Sequence, residues 1–378
     1  MTNMKFEVKT LWVALAFFGF SCQSRMMATQ GDMKESAPVV VQEVKRPKNV
    51  ILMIGDGMGL VQITAGMVAN GNSLNLERIN TIGLIKTPSS NSLITDSAAG
   101  ATAFASGKKT YNGAIGVDDD KKPLVTLLEL AVRNNMATGL VATSSITHAT
   151  PAAFVAHQPS RKLDEAIAND LVNSGVDIFM GGGRKFFERR ADSVNLIKTL
   201  EQKNYKIYEN VQDVNIQDEK VGVFIAPEQP ISMAEGRGDF LPVATAKTVD
   251  MLRAKNKGFF LMVEGSQIDW KGHDNLSDDL ILEMKDFDVA VGKVLDFAEK
   301  DGETLVIITA DHETGGYAIV GGSLEEKRID GKFVSGNHTG VMVPVFAYGP
   351  GAEAFGGIYE NTEIFHKILE VWEALKVK

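Results

Sequence analysis

Between Thr95 and Gly107 the chain reads TDSAAGATAFASG, where one serine, Ser97, stands between an aspartate and a run of small residues that favours a helix. Ser97 falls at the start of that helix, where backbone N–H groups lack intrahelical partners and negative charge is stabilised. Such a position can cap the helix, hold a phosphate, or lower the cost of an alkoxide on Ser97 itself. No histidine lies nearby in sequence to serve as its base. If Ser97 is a nucleophile, something else must take its proton.

Asp269 and His273 are four residues apart, so on a helical turn they face the same way and can either grip one ion or pair with each other at the surface. Asp311, His312 and His338 add enough oxygen and nitrogen ligands for two tetrahedral-type zinc ions. Paired zinc ions suit phosphoryl transfer, since one can hold the nucleophile and the other the leaving or attacking oxygen; zinc on the Ser97 oxygen would replace the missing base. Asp56, Thr150 and Glu264 offer oxygen alone, a hard donor set that favours magnesium. Taken singly, each residue is equally at home as a cap, a turn residue or an ion pair. The fold must bring them together before they mean anything.

The elements that would do so read as alternating strands and helices. Apolar runs at 49–54, 82–85, 138–142, 176–180, 258–263, 304–308 and 343–347 read as strands, the strongest of them buried on both faces. Helical stretches lie between them: one towards Ala69, one from Ser97, then 124–134, 163–172, 276–298 and 362–375, the fifth with Leu280, Met284, Phe287, Val291 and Leu295 on one face. Gly181 to Gly183 reads as a turn, 187–235 as a peripheral αβ section, and 320–337 as a short, glycine-rich insertion. The alternation predicts an α/β fold, a three-layer sandwich with a large, mostly parallel central sheet and helices on both faces. Ligands of such sheets bind beyond the carboxyl ends of the strands. Asp56, Thr150, Glu264, Asp311 and His312 all fall at or just past such ends.

Of the 378 residues 44% are hydrophobic and 23% charged, enough to bury a large core and too apolar for a disordered chain. A formal net charge of -9 without a basic patch argues against a nucleic-acid partner, so any phosphate must be met by local arginine or metal. Lys5 and Lys9 precede the apolar run Leu11 to Phe20, with Ser21 and Cys22 after it, the layout of an export signal over residues 1–22. That run falls short of the roughly 20 residues a membrane span needs. Cys22 is the only cysteine, which excludes an intrachain disulfide and leaves two readings open: a lipidated N-terminus that anchors the mature chain to a membrane, or an incidental residue of a plain secretory signal. Residues 23–47 are polar and aperiodic and read as a tether, with the folded unit over 48–378.

From Lys48 onward the sequence resembles the alkaline phosphatases, through IGDGMG at Ile54 to Gly59, TDSAAGATA at Thr95 to Ala103, HATPAAFVAH at His148 to His157 and TADHETGG at Thr309 to Gly316. The resemblance implies a phosphomonoesterase of small phosphate monoesters that works by double in-line displacement, with Ser97 as the nucleophile that becomes phosphoserine. It implies Asp269, His273 and His338 as ligands of a first zinc, Asp311, His312 and Asp56 with Ser97 as those of a second, and Asp56, Thr150 and Glu264 as a magnesium site. Arg161 matches the arginine that clamps two phosphate oxygens, a task suited to its planar fork. His148 and Trp270 stand where a common bacterial pattern has aspartate and lysine, positions close to the phosphate and the magnesium shell. The resemblance further implies a homodimer, and export to the periplasm or cell envelope accords with it. Two other readings are a phosphodiesterase or phosphoglycerate-mutase-like transferase on the same fold, and a catalytically silent metal- or phosphate-binding lipoprotein.

Overall fold

Seven successive apolar or small positions leave no face for water, and Asn49–Gly55 is buried along its whole length. In the computed structural model, which describes residues 46–372, this strand, β1, lies near the middle of a ten-stranded sheet. In chain order there follow β2 (Thr81–Lys86), β3 (Ala137–Ser145), β4 (Ile178–Gly182), β5 (Lys206–Tyr208), β6 (Val221–Phe224), β7 (Phe259–Gly265) and β8 (Thr304–Thr309). Four short strands come next, β9 (Glu313–Thr314), β10 (Ala318–Ser323), β11 (Arg328–Lys332) and β12 (His338–Thr339), and then β13 (Val343–Tyr348) and β14 (Gly357–Glu360). The large sheet runs β14, β2, β13, β8, β1, β7, β3, β4, β6, β5, while β10 pairs with β11 and β9 with β12 outside it. Only β13 runs against its neighbours, antiparallel to both β2 and β8. Ile54 of β1 pairs with Glu264 of β7 on one side and Thr309 of β8 on the other, so these three carboxyl ends are level.

The helices are α1 (Leu60–Ala69), α2 (Ser97–Ser106), α3 (Leu127–Arg133), α4 (Ala149–Ala152), α5 (Asp164–Asn173), α6 (Lys185–Glu188), α7 (Leu196–Gln202), α8 (Phe240–Ala254), α9 (Gln267–His273), α10 (Ser277–Asp301) and α11 (Glu363–Val371). One group, α1, α8 and α9, packs on α10, and another, α3, α4 and α11, packs on α2. Successive strand side chains point to opposite faces, and β7 shows that the two groups lie on opposite sides of the sheet. Phe259 meets Phe297 of α10 at 6.1 Å between ring centroids. Phe260, the next residue, meets Phe154 just past α4 at 5.9 Å and Trp372 just past α11 at 6.1 Å. The three layers expected from the sequence are therefore present.

Local chemistry moves some boundaries. The helix expected over 124–134 starts at Leu127, because Thr126 and Glu129 cap each other's backbone N–H groups. The strand expected over 176–180 lies at Ile178–Gly182 and takes in Gly181 and Gly182, so the turn rests on Gly183, whose φ of 94° suits glycine. The insertion near 320–337 is largely the exposed hairpin β10–β11. The export signal over 1–22 with Cys22, the tether up to residue 45 and the last three residues of the C-terminal helix expected over 362–375 lie outside the described residues. Among the described residues no helix is long and apolar enough to cross a membrane.

The fully buried Phe260 ties the middle strand to the α2 side of the sheet. Phe260→Ala should cost about 3–5 kcal/mol of stability, measured as a lower urea midpoint, whereas Val334→Ser at an exposed position should stay within about 0.5 kcal/mol.

Candidate active site

The level ends of β8, β1 and β7 deliver three carboxylates to one place: Asp56 one residue past β1, Glu264 in β7 and Asp311 two residues past β8. All three are fully buried. Asp269 and His273 project from α9 as the four-residue spacing requires, and the two-strand bridge β9–β12 brings His338 back opposite Thr314, two residues after His312. A glycine is required at position 57, where φ is 75° and a Cβ would stand 2.7 Å from the Asp269 backbone. That close approach lets α9 lean over the end of β1.

Three imidazoles are oriented by what their Nδ1 atoms touch. His273 Nδ1 donates to the Gly336 carbonyl at 2.7 Å and His338 Nδ1 to the Thr95 carbonyl at 2.9 Å. Thr314 Oγ1 donates its single hydrogen to Asp269, so its 3.2 Å contact with His312 Nδ1 places the hydrogen on that nitrogen. Each ring is left with a lone pair on Nε2, and all three Nε2 atoms point inward. His273 Nε2 and His338 Nε2 are 3.0 Å apart, and lie 3.3 and 3.4 Å from Asp269 Oδ1. His312 Nε2 lies 3.3 Å from Asp311 Oδ2, 3.5 Å from Asp56 Oδ1 and 3.4 Å from Ser97 Oγ. The edge of a zinc tetrahedron with nitrogen and oxygen ligands is about 3.3 Å. Both groups have that spacing, and lone pairs this close repel unless a cation lies between them.

A third group joins Asp56, Glu264 and a ring nitrogen of His148, whose ligand atoms lie within 4.8 Å of one another. Asp56 serves the second and third groups, and Asp269 the first and second, so the three form a connected row. Both oxygens of Asp56, Asp311 Oδ2, Glu264 Oε1, Thr150 Oγ1 and His148 Nδ1 are buried without a hydrogen-bond partner. Buried polar atoms are nearly always paired, so the five orphan oxygens in one pocket fit a place for divalent cations.

The electrostatics agree. Burial pushes the Asp56 carboxyl well above its ordinary range, with Asp311, Asp269 and Glu264 adding repulsion. Burial likewise raises Glu264 to about 7 and, with Asp269, Asp311 to about 6. Burial would raise Asp269 too, yet hydrogen bonds from His273 and His338 hold it well below the usual range. The same contact raises His273 to about 9, while burial lowers His312 to about 3. A proton on His273, held by Asp269, thus does the work that a cation would do.

Ser97 is buried at the first turn of α2, with Asp96 as the helix cap. Asp96 Oδ1 accepts from Ala99 N and Gly113 N, and its Oδ2 lies 3.1 Å from Arg161 Nη1. Because Asp96 caps the helix, Ser97 Oγ is free to face His312. Arg161 Nη2 donates to His148 Nε2 at 3.2 Å, and the His148 ring meets Trp270 edge to face at 5.7 Å. The candidate ligands, Ser97 and Arg161 converge here, and His148, expected close to the phosphate and the magnesium shell, bonds Arg161 and joins the third group. Sequence reasoning passed over Asp96 and Thr314, although both lie inside the quoted motifs. Thr314, a neutral residue two places after a histidine, carried no signal of linking two ligand sets.

A sequence model of the alkaline phosphatase family matches residues 47–327 and 325–374. Alkaline phosphatase 4 of Bacillus subtilis (strain 168) is 35% identical, over 89% of this chain and 92% of that protein. The alkaline phosphatase of Escherichia coli (strain K12) is 33% identical, over 85% of each. The solved alkaline phosphatase of the Antarctic bacterium TAB5 is 47% identical with a TM-score of 0.84, covering 88% of this chain and 99% of that one. A variant of it with a histidine replaced by aspartate, 46% identical, has magnesium bound in its M3 site.

A histidine whose folded pKa of about 9 exceeds its unfolded value of 6.5 contributes stability that is full below pH 6.5 and lost as pH rises through 9. Protein stripped of divalent ions should therefore show a melting temperature that falls between pH 6.5 and 9. Zinc added at pH 9 should restore it by replacing the proton, and His273→Asn should flatten the slope in the stripped protein.

Proposed function

Since the chain belongs to the alkaline phosphatase family and is a phosphomonoesterase, we propose that it hydrolyses small phosphate monoesters through a phosphoserine on Ser97. The observation that carries this reading is the convergence of three inward Nε2 atoms and Ser97 Oγ on one pocket. Asp269, His273 and His338 would hold one zinc, Asp56, Asp311 and His312 a second beside Ser97, and Asp56, Glu264 and Thr150 a magnesium. Bound there, divalent cations supply Lewis acidity, lowering the pKa of a hydroxyl or water and offsetting charge on oxygens around phosphorus.

The chain's own residues do the rest. Arg161, fixed by Asp96 and His148, presents a planar fork that can bind two phosphate oxygens and orient phosphorus for in-line attack by Ser97 Oγ. The N-terminal end of α2 favours negative charge at Ser97 while it attacks and when it carries the phosphoryl group. Water then attacks phosphorus from the side the alcohol has left, Ser97 regains its hydroxyl, and two inversions retain configuration. Trp270 takes the place of a charged phosphate contact, which supports weaker product retention than in the lysine type.

Magnesium at the third site is supported by the oxygen donors Asp56, Glu264 and Thr150, each with a buried oxygen that has no hydrogen-bond partner. We also propose export to the periplasm or cell envelope from the pattern at 1–22, with Cys22 as a lipid anchor, and a homodimer. The exposed apolar side chains of Leu93, Ile94, Val341 and Met342 near the site suit burial in a subunit contact.

Ser97→Ala should lower kcat/KM for a phosphate monoester at least 1,000-fold, a loss of about 4 kcal/mol in transition-state stabilisation. Acid quenching of the parent protein with phosphate should trap one phosphoryl group, seen by intact mass and absent in Ser97→Ala. Faster turnover of diesters than monoesters would favour the phosphodiesterase reading instead.

A further inference from the structure

Glu313 follows His312, is almost fully buried, and touches no cation. Its Oε1 accepts from Gln62 Nε2 at 2.6 Å and from Tyr317 N at 3.0 Å. Its Oε2 accepts from Gly316 N at 3.2 Å and from Thr339 Oγ1. A carboxylate has about four acceptor sites, and all of them are used. The donors come from α1, the turn after β9, and β12, three segments distant in sequence.

Two of those segments carry candidate ligands. Thr339 is the neighbour of His338 and pairs with Glu313 across β9–β12. Gln62 lies in the first turn of α1, which begins just past Asp56 and the tight turn at Gly57, and its Nε2 also donates to the Thr314 carbonyl at 3.0 Å. Gly59 shows how closely these parts are fitted, since a Cβ there would stand 2.5 Å from Glu313 Cγ and 2.8 Å from Gln62 Oε1. The last glycine of the GDGMG turn is thus set by the carboxylate that crosses it.

We propose that Glu313 is a positioning residue whose carboxylate locks β12, and with it His338, to the Asp56 turn, fixing the first candidate cation group against the second. The inference rests on the two-cation reading above. An amide at this position would turn an NH2 group towards either Tyr317 N or Gly316 N, which can only donate, so Glu313→Gln keeps the shape and breaks at least one bond. Thr339→Val removes a single arm and keeps the volume. Partners that orient metal ligands in this way are typically worth 10- to 100-fold in metal affinity.

The test is zinc retention by the full-length protein, measured by competition with a chelator and by metal content after dialysis. Glu313→Gln should hold zinc 10- to 100-fold more weakly than the parent and Thr339→Val several-fold more weakly. The ion-free proteins should keep the parent's far-ultraviolet circular dichroism. If Glu313→Gln does not fold, Thr339→Val decides. Zinc affinities within twofold of the parent in the folded variants would overturn the proposal and leave the two-cation reading standing. A parent protein that bound no zinc would overturn both.

Discussion

Four carboxylates, Asp56, Glu264, Asp269 and Asp311, are buried side by side, and the rest of the molecule is arranged around the charge they would carry. Taking one carboxylate out of water costs several kcal/mol even after relaxation, and like neighbours add to that cost. Arg161 is the one arginine that lowers the Asp56 carboxyl's raised pKa, and its fork is held by Asp96 and His148. The pocket therefore keeps protons at Asp311 and Glu264 near neutral pH, or takes up cations. Inward Nε2 lone pairs remove the first option at the His273 and His338 end once the pH is alkaline. A family named for activity in alkaline solution is consistent with a site whose protons and cations compete for the same atoms.

Such a pocket needs rigid walls, because charged ligands that could turn outward would do so. The sheet supplies them: β8, β1 and β7 are adjacent, level at their carboxyl ends and buried on both faces. Ligands that do not come from strand ends are fixed in other ways, His273 by a helix and a carbonyl, His338 by a two-residue bridge and a carbonyl. The three strands at one edge of the sheet, β4, β6 and β5, contribute none of these groups.

The sequence made the ligands legible through their joint placement at or past strand ends and the motifs that carry them, since each taken singly is equally at home as a cap, a turn residue or an ion pair. It made the layers legible through the alternation of apolar runs. What stayed hidden depended on partners distant in sequence. The antiparallel direction of β13 follows from its place between β2 and β8, and nothing in its own residues states it. Asp96 and Ser97 are both plausible caps, and only the contact of Asp96 with Arg161 and Gly113 shows why the aspartate takes that role and frees the serine. Thr314 and Glu313 were in view within TADHETGG, but a neutral hydroxyl and a carboxylate acquire their roles from what folds onto them.

His148 shows the same dependence at the level of one lone pair. A neutral imidazole has a single lone pair, and in this arrangement Arg161 Nη2 takes it at Nε2. While that bond stands, the other ring nitrogen carries the hydrogen, and His148 has nothing to offer a cation among Asp56, Glu264 and Thr150. Burial and Arg161 together lower its pKa to about 3, so it stays neutral and adds no charge of its own. Were Arg161 to leave Nε2, the ring hydrogen could move from Nδ1 to Nε2 and Nδ1 would gain the lone pair. An aspartate at this position would behave differently, since its several lone pairs could meet the arginine and the cation together. Oxygen donors alone would then favour magnesium, whereas a histidine adds a nitrogen to the same group. One imidazole thus ties the third group to Arg161, through a hydrogen bond that neither motif nor spacing discloses.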